Sequence, residues 1–217
     1  MVFIFDYDGT CHETIGIYGE AVRRAEKFAN EQGYFATQGS DDRSLEKYLG
    51  MTAEDMWDDF MPGAPGELKR SLSLIVQENM VSAIKGDYAN LYSGMEELFE
   101  ELKRRGHTLL ILSNCTKKYR DTHWEGFKLS RWFSKFYCSE SYGGIPKEDI
   151  FKYISEEFPG RYCMIGDRLA DMKVGYIHKF MTVACHYGYG SDEELKDADY
   201  HAESVMELKT LLLNTAI

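Results

Sequence analysis

Asp6 and Asp8 are two carboxylates one residue apart, followed at once by Gly9 and Thr10. Like charges at that spacing repel unless a cation or a shared proton compensates them, so the pair calls for a metal, although Asp and Gly also build ordinary turns. Ser113 and Asn114 close a run of Leu109, Leu110, Ile111 and Leu112, where a hydroxyl and exposed backbone amides suit a phosphate oxygen. A plain helix start would use the same letters. Lys147 opens a helical pattern after Gly143, Gly144, Ile145 and Pro146. The helix dipole opposes a cation there, which invites a reason beyond a surface lysine. Asp167 follows another apolar run, and Asp171 stands four residues on, where a helical turn returns it to the same side. An acidic strand end is a site for a hard cation; a capping Asp is the plainer reading. Four strand ends each carry a polar group that phosphoryl transfer requires, and one shared site explains them jointly.

The elements that must position these groups follow from the pattern. Val2, Phe3, Ile4 and Phe5 form an unbroken apolar run, as expected of a strand covered on both faces of a parallel sheet. Such sheets bind ligands at the carboxyl ends of their strands. Further strands are expected at 108–112, 136–139, 162–165 and 181–185, with helices at 117–126, 147–158, 170–177 and 204–213 filling the gaps. The last of these helices carries a Ser204/Glu207 capping pattern. Ser93 is expected to cap a helix with Glu96, Glu97, Glu100 and Glu101 early and Lys103, Arg104 and Arg105 late, closed by Gly106, so that charge run reads as a solvated face. Between the first strand and this alternating region, residues 13–88 read as consecutive helices without a strand. Met56 with Phe60 and Trp57 with Met61 there have the spacing of packing contacts. The expected fold class is therefore α/β, a three-layer Rossmann-like parallel sheet core (1–12 and 89–217) with an inserted α-helical cap (13–88).

The chain has 217 residues, 44% hydrophobic, which excludes a disordered protein. Acidic residues outnumber basic ones, 36 to 25, for a formal charge of −11. That balance speaks against nucleic acid and anionic membranes as partners. Cys11, Cys115, Cys138, Cys163 and Cys185 are odd in number and widely spaced, with no Cys-x-x-Cys, so neither a disulfide frame nor a zinc knuckle is expected and a reducing cytoplasm fits. The apolar start is too short for a signal peptide or a membrane span.

Taken in order, Asp6-Tyr7-Asp8-Gly9-Thr10, Ser113-Asn114, Lys147 and Gly166-Asp167 with Asp171 resemble the four motifs of the haloacid dehalogenase superfamily of phosphatases, in the branch with a helical cap after the first strand. Tyr187 to Leu195 and Ala198 to Tyr200 resemble the tail of phosphoglycolate phosphatase-like members. The resemblance implies that Asp6 is the nucleophile that becomes an aspartyl-phosphate and that Asp8 is the general acid and base. Mg²⁺ is then held by Asp6, the Asp8 backbone carbonyl and Asp167, with Asp171 orienting its shell. Thr10, Ser113 and Asn114 hold phosphoryl oxygens, and Lys147 neutralises charge. Retention of Asp8 argues against the dehalogenase and phosphonatase branches. The implied partner is a small phosphorylated metabolite, on a monomer or homodimer. Two alternatives remain at this stage: a phosphosugar mutase of the β-phosphoglucomutase type, and a binding protein that kept the scaffold but lost turnover. Among the departures, Tyr7 stands where Phe is usual and is expected to point away from both carboxylates, Glu148 stands where Pro is common, and Arg168 where a small hydroxyl residue is usual. His12, just beyond the catalytic turn, is expected as a solvent-exposed hinge residue, with contact to substrate as the other reading.

Overall fold

A computed structural model describes residues 1–86 and 88–214. Asp87 and 215–217, which the expected cap and core ranges include, lie outside them. The chain divides into two compact units, one of Met1–Glu13 with Leu91–Ile217 and one of Thr14–Asn90.

The first unit is built on six parallel strands: β1 (Val2–Phe5), β2 (Thr108–Ser113), β3 (Lys135–Cys138), β4 (Tyr162–Gly166), β5 (Met181–Cys185) and β6 (Tyr200–Ala202). Their order across the sheet is β3-β2-β1-β4-β5-β6. The chain begins in the middle of the sheet, builds outward through β2 and β3, and returns to the other side of β1 through β4. This reversal creates the crevice in which open α/β sheets bind ligands. The register pairs Phe5 with both Ile111 and Ile165, so the residues after Phe5, Leu112 and Ile165 emerge at one edge.

Both faces of the sheet are covered, which explains the continuous apolar strands. Val2 and Ile4 share a buried cluster with Leu110, Leu112 and Met164 and with Ile150, Phe151 and Ile154 of α7 (Lys147–Glu157) and Val174 of α8 (Leu169–His178). Phe3 and Phe5 point the other way: Phe5 meets Phe99 of α5 (Met95–Arg104) and Phe133 edge-on, at ring-centre distances of 5.5 and 5.9 Å. The alternation thus directs Asp6 to the side of α7 and α8 and Tyr7 to the opposite side. Helices α6 (Lys117–Gly126), α9 (Asp192–Leu195) and α10 (Val205–Asn214) complete this unit.

Two local expectations change. The cap of α5 is Gly94 in the left-handed region (φ 90°), with no side-chain bond, rather than Ser93. The strand β6 adds to those expected; it is three residues long, with only Ala202 buried.

The second unit holds α1 (Ile15–Asn30), α2 (Asp42–Leu45), α3 (Ala53–Phe60) and α4 (Gly66–Lys85). Thr52 caps α3 by accepting from the Asp55 amide at 3.1 Å. Met56, Trp57, Phe60 and Met61 are buried with Leu45, Tyr48, Leu68 and Leu72 in this unit's own core. Leu72 is fully enclosed there, so Leu72→Ala is expected to destabilise the protein by about 2–5 kcal/mol through lost transfer energy and the cavity left behind. Urea unfolding of the variant reads this directly.

Candidate active site

Four charged side chains converge beyond the carboxyl ends of the central strands. Lys147 Nζ lies 2.6 Å from Asp6 Oδ1 and 2.6 Å from Asp171 Oδ1. Asp6, Asp167 and Asp171 each offer a carboxylate oxygen within 4.8 Å of the others. All four are buried. The elements explain the convergence: Asp6 continues β1, its amide donating to Ile165 O at 2.8 Å; Asp167 leaves β4; Asp171 lies in the first turn of α8; and Lys147 is the first residue of α7. The Arg168 amide donates to Asp171 Oδ2 at 3.0 Å, which closes the turn and aims the other oxygen at Lys147.

The electrostatics of the cluster are unbalanced. Burial, and next Asp171, push the Asp6 carboxyl well above the usual range, against the pull of Lys147. Burial would depress the Lys147 ammonium, but Asp171 and Asp6 outweigh it and hold its pKa above the ordinary value. Burial and the Asp171 charge raise Asp167 to about 7, against the Tyr189 amide and the Thr10 hydroxyl. Three carboxylates and one ammonium leave two negative charges uncompensated, the charge of a divalent cation, and an all-oxygen donor set suits a hard one. The residues present therefore fit a divalent metal.

Asp167 is held by donors on both oxygens: Thr10 Oγ1 to Oδ1 at 2.9 Å and the Tyr189 amide to Oδ2 at 2.8 Å. The Thr10 hydroxyl, expected on a phosphoryl oxygen, is thus engaged with Asp167. Gly9 has φ +82°, and a Cβ there would run into Asp167 Oδ2 and the Tyr189 ring, so the position suits glycine on two counts. Ser113 ends β2 buried, two residues past Ile111, the partner of Phe5; Asn114 follows it exposed. Both lie at the same sheet edge as Asp6. The helix after them starts only at Lys117, capped by Thr116, so Ser113 stands at the strand end and Asn114 in the loop, neither in the helix's first turn.

Asp8 is approached by two groups on one oxygen: Tyr119 OH donates to Oδ1 at 2.6 Å, and His12 Nδ1 is 3.6 Å from it. Burial pushes the Asp8 carboxyl up, but the contacts from His12 and Tyr119 prevail and hold it below its ordinary value. His12 is fully buried, its ring parallel to that of Tyr7 at 5.5 Å, and is not the exposed hinge residue expected. Tyr7 does point away from the carboxylates, and its hydroxyl meets His123 Nδ1 at 2.7 Å. Tyr119, His123 and the Tyr189 amide carry no signal in the sequence, because each acts through a contact over a long chain separation or through the backbone.

The raised Asp167 carboxyl makes a stability prediction with a definite sign. A carboxyl near 7 when folded and about 3.9 when unfolded binds more protons in the native state between those values, so stability without metal falls as pH rises through that window. Asp167→Asn removes this penalty, since the amide can accept from the Tyr189 N–H and donate to the Thr10 oxygen. In chelator at pH 8 the variant is expected to melt several degrees above the parent, with the gap closing toward pH 4; calorimetry across pH checks it.

Known proteins resemble this chain in sequence and in fold. The family model for haloacid dehalogenase-like hydrolases matches residues 1–175. A 5'-nucleotidase from Pseudomonas aeruginosa is 27% identical over 198 residues, 89% of this chain and 86% of that protein. Among solved structures, a predicted phosphatase from Clostridium acetobutylicum superposes with a TM-score of 0.77 at 25% identity, covering 99% of this chain and 98% of its own. A predicted phosphoglycolate phosphatase from Haemophilus somnus reaches 0.79 at 16% identity over 97% and 96% of the two chains, a likeness of fold.

Proposed function

The chain belongs to the haloacid dehalogenase-like hydrolase family as a phosphoric monoester hydrolase, and from that premise we propose that it is a Mg²⁺-dependent phosphatase that hydrolyses a small phosphomonoester through an aspartyl-phosphate on Asp6. The observation that carries the reading is the single buried ammonium of Lys147 shared at 2.6 Å by Asp6 and Asp171, with Asp167 beside them.

In this reading an Asp6 oxygen attacks phosphorus, and the bond from phosphorus to the ester oxygen breaks. The phosphate dianion bound beside Asp8 opposes a second negative charge there, so Asp8 takes up a proton from water in the substrate complex and passes it to the departing oxygen, and an alcohol leaves rather than an alkoxide. Asp8, now a carboxylate, takes a proton from water as the water oxygen attacks the aspartyl-phosphate, and the Asp6–phosphorus bond breaks to release phosphate. Lys147 balances charge on Asp6 and on the phosphoryl oxygens as the group flattens. Ser113 and the Asn114 amide hold two of those oxygens, while Thr10 acts through Asp167. Asp6, Asp167 and the Asp8 carbonyl hold Mg²⁺, with Asp171 orienting them. Bound there, the ion offsets the repulsion between the Asp6 carboxylate and the phosphate dianion. The unit Thr14–Asn90 is assigned as the cap that selects the substrate.

The test is a panel of small phosphate esters that includes nucleoside 5'-monophosphates and phosphoglycolate, with p-nitrophenyl phosphate as a generic reporter. Phosphate release is expected with millimolar Mg²⁺, to cease in chelator and to return when Mg²⁺ is restored. Folded, metal-loaded protein that releases no phosphate from any ester would overturn the reading.

A further inference from the structure

We propose that Tyr119 is the positioning residue of the acid–base step, holding Asp8 in the one orientation from which its proton reaches the departing oxygen. The proposal rests on the assignment of Asp8 as acid and base in the preceding section.

The placement of Tyr119 is over-determined. Its backbone amide donates to the Thr116 hydroxyl at 3.2 Å, which fixes it in the first turn of α6, directly after the loop that follows Ser113. Its ring packs on His123, four residues on and on the same helix face, with ring centres 3.9 Å apart. His123 is pinned in turn by the Tyr7 hydroxyl at 2.7 Å. Burial, then the nearby His12, push the His123 pKa well below its ordinary value, so the ring stays neutral. Tyr7 is the residue between Asp6 and Asp8. The contacts therefore form a closed circuit, from Asp8 to the Tyr119 hydroxyl, to the His123 ring, to the Tyr7 hydroxyl, and back through one peptide bond to Asp8.

Such a circuit has a chemical use. Asp8 sits in a tight turn whose geometry is set by Gly9, and a carboxyl there has several rotamers within reach. A 2.6 Å bond to a phenol fixed at its other end selects one of them, and a proton donor misplaced by about 1 Å loses on the order of 10²-fold in rate. His12 Nδ1, at 3.6 Å from the same Oδ1, braces that oxygen from a second side. The circuit also links the acid–base residue to the helix that follows the phosphate-holding strand end.

The experiment uses Tyr119→Phe, which deletes one oxygen and keeps the ring on His123. Single-turnover rates of the first displacement are compared for an alkyl phosphate, whose leaving oxygen needs a proton, and for p-nitrophenyl phosphate, whose leaving group departs as a stable anion. The expected result is a tenfold to hundredfold loss on the alkyl ester and less than a threefold loss of the nitrophenolate burst. In the Asp8→Asn background the same change is expected to alter the alkyl-ester rate by less than twofold, because the carboxyl it positions is already gone. Equal losses on both esters, or no loss on either, overturn the assignment and leave Tyr119 a packing residue. A further loss in the Asp8→Asn background does the same, whatever the variant's stability. If the unaltered protein turns over neither ester, the reading of Asp8 itself fails, an outcome distinct from failure of Tyr119 alone.

Discussion

Asp6→Asn is expected to abolish turnover, by on the order of 10⁴-fold or more, while leaving the protein folded. Removal of a covalent nucleophile has effects of that order in other hydrolases, and here no neighbouring group can substitute: Asp167 is engaged by Thr10 and Tyr189, and Asp171 by Lys147 and the Arg168 amide. The amide keeps an oxygen for Lys147, so the 2.6 Å contact survives in neutral form. The substitution also removes one of three mutually repelling buried carboxylates, and since burial and Asp171 raise Asp6 far above its unfolded value, the variant is expected to be at least as stable as the parent in chelator at pH 8. Two measurements separate chemistry from folding. Acid quench with a radiolabelled phosphoryl donor is expected to trap label on the parent chain and none on the variant, while calorimetry is expected to show no fall in Tm. Label trapped on the Asp6→Asn variant would place the nucleophile elsewhere.

Much of this site is legible in the sequence because each of its parts sits where an apolar run stops. Val2 to Phe5, Leu109 to Leu112 and Cys163 to Ile165 are buried on both faces, so their ends have to be strand ends, and the polar residue next in line has to emerge at the sheet's edge. The helix-opening position of Lys147 is legible for the opposite reason, since an unfavourable dipole contact implies a compensating partner; Asp6 and Asp171 are that partner. What stays hidden has physical causes as well. The bond from Tyr119 to Asp8 spans 111 positions, and a single Tyr on a helix reads as packing. The Tyr189 contact is made by a backbone amide, which has no residue-type signature. His12 reads as a surface hinge because its polarity suggests exposure, whereas the Tyr7, His123 and Phe127 rings enclose it. The strand β6 is too short for a period-2 pattern to register, and Gly94 takes the cap position from Ser93 because a left-handed residue is needed there. Local patterns reveal strand ends and helix faces; they do not reveal which distant side chain completes a hydrogen bond.

Lys147→Met is expected to have the second large effect, on both stability and rate, and the two losses should separate under pH and metal. Lys147 is buried, and its ammonium is the group that balances Asp6 and Asp171. Methionine matches its length but leaves three buried carboxylates facing one another, and breaking a buried pair by removing one partner costs about 3–5 kcal/mol. That penalty belongs to the ionised carboxyls. Without the ammonium the folded-state pKa values of Asp6 and Asp167 rise further, the native state takes up protons that the unfolded chain does not, and the deficit is therefore greatest at high pH and shrinks as pH falls toward the unfolded carboxylate range. A divalent cation compensates the same charges, so millimolar Mg²⁺ is expected to recover part of the lost Tm at pH 8, and by more degrees than it adds to the parent. Turnover should not recover with it. Lys147 also balances charge that appears only as the phosphoryl group transfers, and removal of one such donor costs on the order of 10²–10³ in kcat. Calorimetry from pH 5 to 8, with and without Mg²⁺, combined with phosphate-release rates at saturating metal, separates the two roles. A variant as stable as the parent in chelator at pH 8 would mean that the lysine does not balance buried charge on this cluster, and the charge imbalance that implies a divalent metal would go with it.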